Sequence, residues 1–139
     1  MIDAERLLLV GAAASLRGAF SAVIAPTDIV VAPDAAAGVE LLHKRADIPP
    51  RLIVLVAGDA PVADAVGLFK RDAQAQMVPL LVCANREEAG QFDACFRAGA
   101  NACVTLTGPA ALSRETVESV AGYWLGANEA APPSRAADR

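Results

Sequence analysis

Few side chains here could do chemistry, and their spacing supports little of it. His43 is the only histidine and stands in Leu41-Leu42-His43-Lys44-Arg45. One imidazole without a partner set makes neither a metal site nor a phospho-accepting histidine, so a surface helix position is expected. Cys83, Cys95 and Cys103 are odd in number and lack metal-ligand spacing. That argues against a disulfide framework and a zinc site, and leaves three small buried hydrophobes. Ser15 follows Gly11-Ala12-Ala13-Ala14 where a strand should turn into a helix. A helix N-terminus can hold an anion, but the glycine spacing of a dinucleotide fingerprint and the lysine of a P-loop are missing. Ser15 also has no histidine base in a recognisable arrangement. Asp59, in Ala57-Gly58-Asp59-Ala60-Pro61, has the setting of a turn aspartate that bonds its own backbone. Asp93/Arg97 and Glu87/Glu88 suit solvated helix faces. With no acid–base or nucleophile–base pair, the chain is not expected to be an enzyme, nor to hold a metal or cofactor.

The elements that would position these residues alternate regularly. Strand candidates are Arg6–Val10, Asp28–Val31, Leu52–Val56, Pro79–Cys83 and Ala102–Leu106. They are almost continuously apolar, as suits strands covered on both faces of a parallel sheet. Helix candidates lie between them, at about Ala13–Ile24, Ala35–Arg45, Val62–Ala73, Glu87–Ala98 and Ala110–Leu125. These carry Leu16, Phe20 and Val23 on one face; Val39 and Leu42 spaced by three; Val66, Leu68 and Phe69; Phe92, Cys95 and Phe96; and Val117, Val120 and Trp124. Asp34 is placed to cap the second helix, Gly99 to end the fourth and Pro109 to open the fifth. Five βα repeats predict a three-layer α/β sandwich with the flavodoxin-like strand order 2-1-3-4-5.

Composition agrees. At 139 residues with 55% hydrophobic and 20% charged residues, the chain can bury a core and is too apolar to be disordered. No apolar run approaches the roughly 18 residues of a membrane span, and residues 1–6 do not resemble a signal peptide. A cytoplasmic location is the expectation. A net charge of −4, scattered basic residues and 4% aromatics give no footing for nucleic acid. One domain is expected over residues 1–127, with a disordered tail at 128–139.

Four stretches resemble the receiver domains of response regulators. Arg6-Leu7-Leu8-Leu9-Val10 is similar to their first strand. Pro50-Arg51-Leu52-Ile53-Val54-Leu55-Val56, with Pro61 after it, resembles the strand that ends in their phospho-accepting aspartate. Pro79-Leu80-Leu81-Val82-Cys83-Ala84 resembles the fourth strand, and Ala98-Gly99-Ala100-Asn101 the turn into the fifth. Gly122-Tyr123-Trp124-Leu125, followed by Asn128 and Pro132-Pro133, looks like the end of the small single-domain regulators associated with bacterial phytochromes.

That resemblance implies a phosphorylation site whose charges are missing. The family's acidic pair falls at Gly11 and Ala12. The acceptor falls at Val56 counting from Pro50, or at Ala57 counting back from Pro61. The hydroxyl position is Ala84, and the lysine position is Leu106, followed by Thr107. Magnesium wants oxygen ligands, and these positions supply none. Asp59 is the one residual acidic candidate nearby. The resemblance therefore implies a receiver-like domain acting without phosphorylation, as an interaction module in two-component signalling. Its partner would be a signalling protein such as a sensor kinase or another response regulator. A homodimer is implied through a face that carries Phe92, Phe96, Tyr123, Trp124 and Leu125. The alternative is a small-ligand, nucleotide-like sensor that uses the vacated crevice through Gly58, Ser15, Thr105 and Thr107.

Overall fold

The computed structural model describes residues 7–11, 16–24, 29–44, 49–56, 62–85, 91–106 and 111–125. Among them are five strands: β1 (Leu7–Gly11), β2 (Ile29–Ala32), β3 (Leu52–Val56), β4 (Leu80–Ala84) and β5 (Ala102–Thr105). The helices are α1 (Arg17–Ser21), α2 (Ala35–Lys44), α3 (Val62–Lys70), α4 (Phe92–Ala98) and α5 (Arg114–Trp124), with a 3-10 turn at Ala75–Met77. All strands are parallel, in the order β2-β1-β3-β4-β5. This is the flavodoxin-like sheet expected from the sequence.

The core explains the unbroken apolar runs. Neighbouring strand residues point to opposite faces, so a strand covered on both needs apolar side chains throughout. Leu7, Leu9, Leu52, Val54 and Val56 join one layer with Leu16 and Phe20 before and in α1, and with Val117 and Val120 of α5. Leu8, Val10, Ile53, Leu55 and Val82 join the other with Leu42 of α2, Val66 and Phe69 of α3, and Cys95 of α4. Each strand divides its side chains between two cores.

Several expected boundaries move for local reasons. Asp34 does cap α2, its Oδ1 accepting the Ala37 N–H at 2.8 Å. Gly99 ends α4 with φ +118. The fifth helix starts later than the expected Ala110, because Ser113 is its cap: its backbone is extended, and its Oγ accepts the Thr116 N–H at 3.1 Å. Pro109 lies outside the described residues. The third helix stops at Lys70 instead of Ala73, since Asp72 bonds the N–H groups of Gln74 and Ala75. The first is described from Arg17, and the fourth from Phe92. Of the apolar residues on the third helix, Val66 and Phe69 are buried and Leu68 is exposed.

Candidate functional site: an apolar sheet edge and an exposed flank

Parallel strands carry ligand sites where their C-terminal ends meet the following loops. Here that edge is built from Gly11, Val56, Ala84 and the chain leaving β5 at Leu106. The register aligns Gly11 with Val56, Val56 with Cys83, and Ala84 with Thr105. Leu106 closes the row, donating its N–H to the Ala84 carbonyl at 2.8 Å. The fold thus brings together four positions that the sequence set far apart.

Their environment is hydrocarbon. Val56, Ala84 and Leu106 are buried, and Val56 and Leu106 share one cluster with Cys83 and Leu112. Gly11 holds φ +69, a left-handed conformation that favours glycine. A Cβ there would meet only the Val56 and Pro33 carbonyls, at 3.7 and 3.8 Å. Backbone strain, not lack of room, is therefore what opposes a carboxylate at this position. Ala12, Ala57 and Asp59 lie outside the described residues, as do Ser15, Gly58 and Thr107. Among the described residues no cluster of three or more His, Cys, Asp or Glu side chains could hold a metal ion. Nor, among them, is any helix long and apolar enough to cross a membrane.

The thiols are buried rather than poised. Cys83 and Cys95 lie in the core, and Cys103 is half-buried on β5. Burial, reinforced by a neighbouring cysteine, pushes Cys83 and Cys103 up to about 12. Burial also raises Cys95. Such thiols carry almost no thiolate at neutral pH.

The flank of the sheet beyond β4 differs. Phe96 of α4 and Tyr123 of α5 are about half exposed, at 50% and 48%. Tyr123 meets Trp124 edge to face, with ring centroids 4.8 Å apart. Trp124 and Phe92 pack partly against the two cores. Leu125, expected with this group, is fully buried and is a core residue. Its position one step past the last helical turn directs it inward, so it cannot contact a partner while the fold is intact. The strand between the helices is the least covered: Ala102, Cys103 and Val104 are half-buried, and Thr105 is exposed.

Three arrangements, two polar and one a cavity, had no clear sequence signal, because each joins residues distant in the chain. His43 is on the surface, as expected, but its Nε2 lies 2.7 Å from Asp72 Oδ1 and ties α2 to the turn after α3. Lys70 Nζ donates to the Val78 and Gln76 carbonyls at 3.0 and 3.3 Å, and to Asn101 Oδ1 at 3.1 Å. The same Asn101 oxygen accepts the Leu80 N–H at 2.8 Å. The Lys70 stem lies where a Cβ on Gly99 would sit, 2.8 Å from its Cγ. Gly99-Ala100-Asn101 is thus a structural joint between β4, β5 and the last turn of α3. Third, a cavity of about 320 Å³ lies between Leu42, Pro49, Pro50, Met77, Val78 and Pro79. It is at the end where β3 and β4 begin, away from the edge described above.

Asp72 gives a testable pH dependence. The backbone N–H of Ala75, opposed in part by desolvation and aided by His43 and the Gln74 N–H, holds its carboxyl below the usual aspartate value. A depressed native pKa contributes stability that is complete above the unfolded value of about 3.9, and is lost as pH falls through the native value. Asp72→Asn is therefore expected to lower the urea midpoint at pH 7, and its deficit relative to wild type is expected to shrink at pH 3. An equal deficit at both pH values would assign Asp72 no such role.

Comparison with known proteins yields a fold. No protein-family model matches the chain, and no curated protein matches it. Solved structures do. The phosphorylated cyanobacterial phytochrome response regulator RcpA superposes with a TM-score of 0.73 at 15% identity, over 88% of this chain and 95% of that one. The manganese-bound response regulator Rcp1 gives 0.68 at 15% identity, over 87% and 94%. The regulator RPA3017 of red-light signalling in R. palustris gives 0.66 at 16% identity, over 88% and 95%. The architecture is that of response-regulator receiver domains, those associated with phytochromes included.

Proposed function

We propose that this chain is a receiver-like module of two-component signalling that acts by binding another protein and not by accepting a phosphoryl group. One observation carries the reading: Val56, Ala84 and Leu106 form a buried apolar row at the sheet edge, beside a Gly11 held at positive φ. A phosphoryl group and its cation need preorganised charge and hydrogen-bond donors. Hydrocarbon supplies neither. The similar structures include a phosphorylated RcpA and a manganese-bound Rcp1, and those states are properties of those proteins.

The contact face is assigned to the flank carrying Phe96, Tyr123, Trp124 and Phe92. Half-exposed aromatic side chains suit the centre of an interface. The partner is a signalling protein, a sensor kinase or another regulator, and the chain itself forms a homodimer.

The test is beryllofluoride or acetyl phosphate with magnesium. Mass, amide spectra and oligomeric state are expected to stay unchanged at saturating reagent. A saturable, magnesium-dependent response would overturn the reading. In a separate thermal-shift measurement, a nucleotide that raises the melting temperature, and raises it further with the logarithm of its concentration, would favour a ligand sensor instead.

A further inference from the structure

We propose that a chain of hydrogen bonds across the base of the sheet, where β3 and β4 begin, couples α2 to the C-terminal end of α4, so that loosening one end loosens the other. The chain starts at His43 of α2, whose Nε2 lies 2.7 Å from Asp72 Oδ1. The other Asp72 oxygen accepts the N–H groups of Gln74 and Ala75, at 3.0 and 2.9 Å. The Ala75 carbonyl accepts the Val78 N–H at 3.0 Å, and the Val78 carbonyl accepts Lys70 Nζ at 3.0 Å. Lys70 Nζ also donates to Asn101 Oδ1 at 3.1 Å. Asn101 is fastened to Leu80 twice: its Oδ1 accepts the Leu80 N–H, and its own N–H donates to the Leu80 carbonyl. Two residues earlier, the Gly99 N–H donates to the Cys95 and Phe96 carbonyls and closes α4.

Two charged groups make this chain stiff. The Asp72 carboxylate joins His43 to the turn at Ala75 through its two oxygens. The Lys70 ammonium joins the Val78 carbonyl to Asn101 through one nitrogen. Hydrogen bonds to ionised groups are the strong ones, and members of a network strengthen one another, so losing one weakens the rest. Lys70 has little slack, because its stem fills the place of a Cβ on Gly99, 2.8 Å from its Cγ. Between Lys70 and Leu80 the one regular element is the 3-10 turn Ala75–Met77, so neither a long helix nor a ladder holds this segment. The rival anchor is the core, since Ala75 and Val78 are buried. Burial fixes each of them singly and would leave the two ends of the chain independent.

What the coupling is for rests on the contact face assigned above. α4 carries Phe96, and coupling between two sites acts in both directions. A protein held against Phe96 steadies the turn from Gly99 to Asn101 and, through Lys70, the turn that Asp72 caps. A change at His43, half-exposed on α2, in turn alters the footing of α4.

Residue-resolved hydrogen exchange on the full chain, with no partner present, tests this. Each amide is read relative to Leu9, in the middle of the sheet, which reports global opening. His43→Ala is expected to speed the Leu80 amide by at least about threefold, although the bond it removes is to Asp72. Asn101→Ala is expected to speed the Gln74 and Ala75 amides to a similar extent. The double variant is expected to exchange faster by less than the product of the two factors. Lys70→Gln, which keeps Asn101 and removes the ammonium, is expected to act at both ends. A Leu80 amide indifferent to His43→Ala would overturn the proposal. So would single factors that multiply in the double variant, because the buried Ala75 and Val78 would then hold the turn by themselves. If Asn101→Ala does not fold, Lys70→Gln and its combination with His43→Ala decide by the same criteria. Neither a partner nor beryllofluoride enters these readouts, so a failure here leaves the contact reading and phosphorylation independence to their own test.

Discussion

Val56→Asp is expected to destabilise the fold by about 3–5 kcal/mol at pH 7, the cost of an uncompensated buried charge. Val56 is 5% exposed and shares its cluster with Leu9, Val54, Cys83 and Leu106. Nothing described around it carries a positive charge or a metal. The substitution puts a carboxylate at one of the two positions where the resemblance would set an acceptor, but does not supply the surroundings that ionise it. Desolvation raises the new carboxyl above the unfolded value of about 3.9. The unfolded chain then releases its proton first as pH rises, so stability falls from about pH 3.9 up to the native value. Measured against wild type at each pH, the urea midpoint should drop most at pH 7 and least near pH 3.5. A variant as stable as wild type at pH 7 would mean that Val56 looks into water, and the apolar-edge argument would fail with it.

Phe69→Ala is expected to cost a further order-of-magnitude equivalent, about 3–5 kcal/mol, for a different reason: a cavity. Phe69 is fully buried at the end of α3 and fills the layer between α2 and the sheet. Its ring would lie 2.9 Å from a Cβ on Gly38 of α2, so the helix approaches the ring because residue 38 has no side chain. The gap left by alanine has rigid walls on the sheet side, in Leu8, Val10 and Leu55, which limits collapse. Chemical denaturation at fixed pH measures the loss. A cost below about 1 kcal/mol would show that α2 and α3 close over the gap, and that this layer is loosely packed.

These two expectations differ in how far the sequence foretold them. Counting along the motifs leads one to expect Val56 or Ala57 at the acceptor position of the family the sequence resembles, Ala84 at its hydroxyl position and Leu106 at its lysine position. That Val56, Ala84 and Leu106 are buried does not follow from such counting: burial depends on Leu112 just before α5 and on Val117 and Val120 of α5, which close the same cluster from more than fifty residues beyond Val56. The Phe69–Gly38 contact is also invisible to periodicity. Helical spacing says which face of α3 is apolar, not that a glycine of another helix leaves room for the ring.

The sequence alone determined the order and type of the elements. Continuous apolar strands, three-residue spacing in the helices, Asp34 as a cap and Gly99 as a stop are all local, and their physics acts within a turn or a strand. It also determined which charges are absent. Only the tertiary structure decided how residues far apart meet: Asp72 with His43, Lys70 with Asn101, Leu125 inside and Tyr123 outside. Adjacent positions such as Tyr123, Trp124 and Leu125 can each enter a core or an interface, so the pattern alone does not assign them. The rotation of α5 against the sheet does, because it fixes which side chain finds a core to enter.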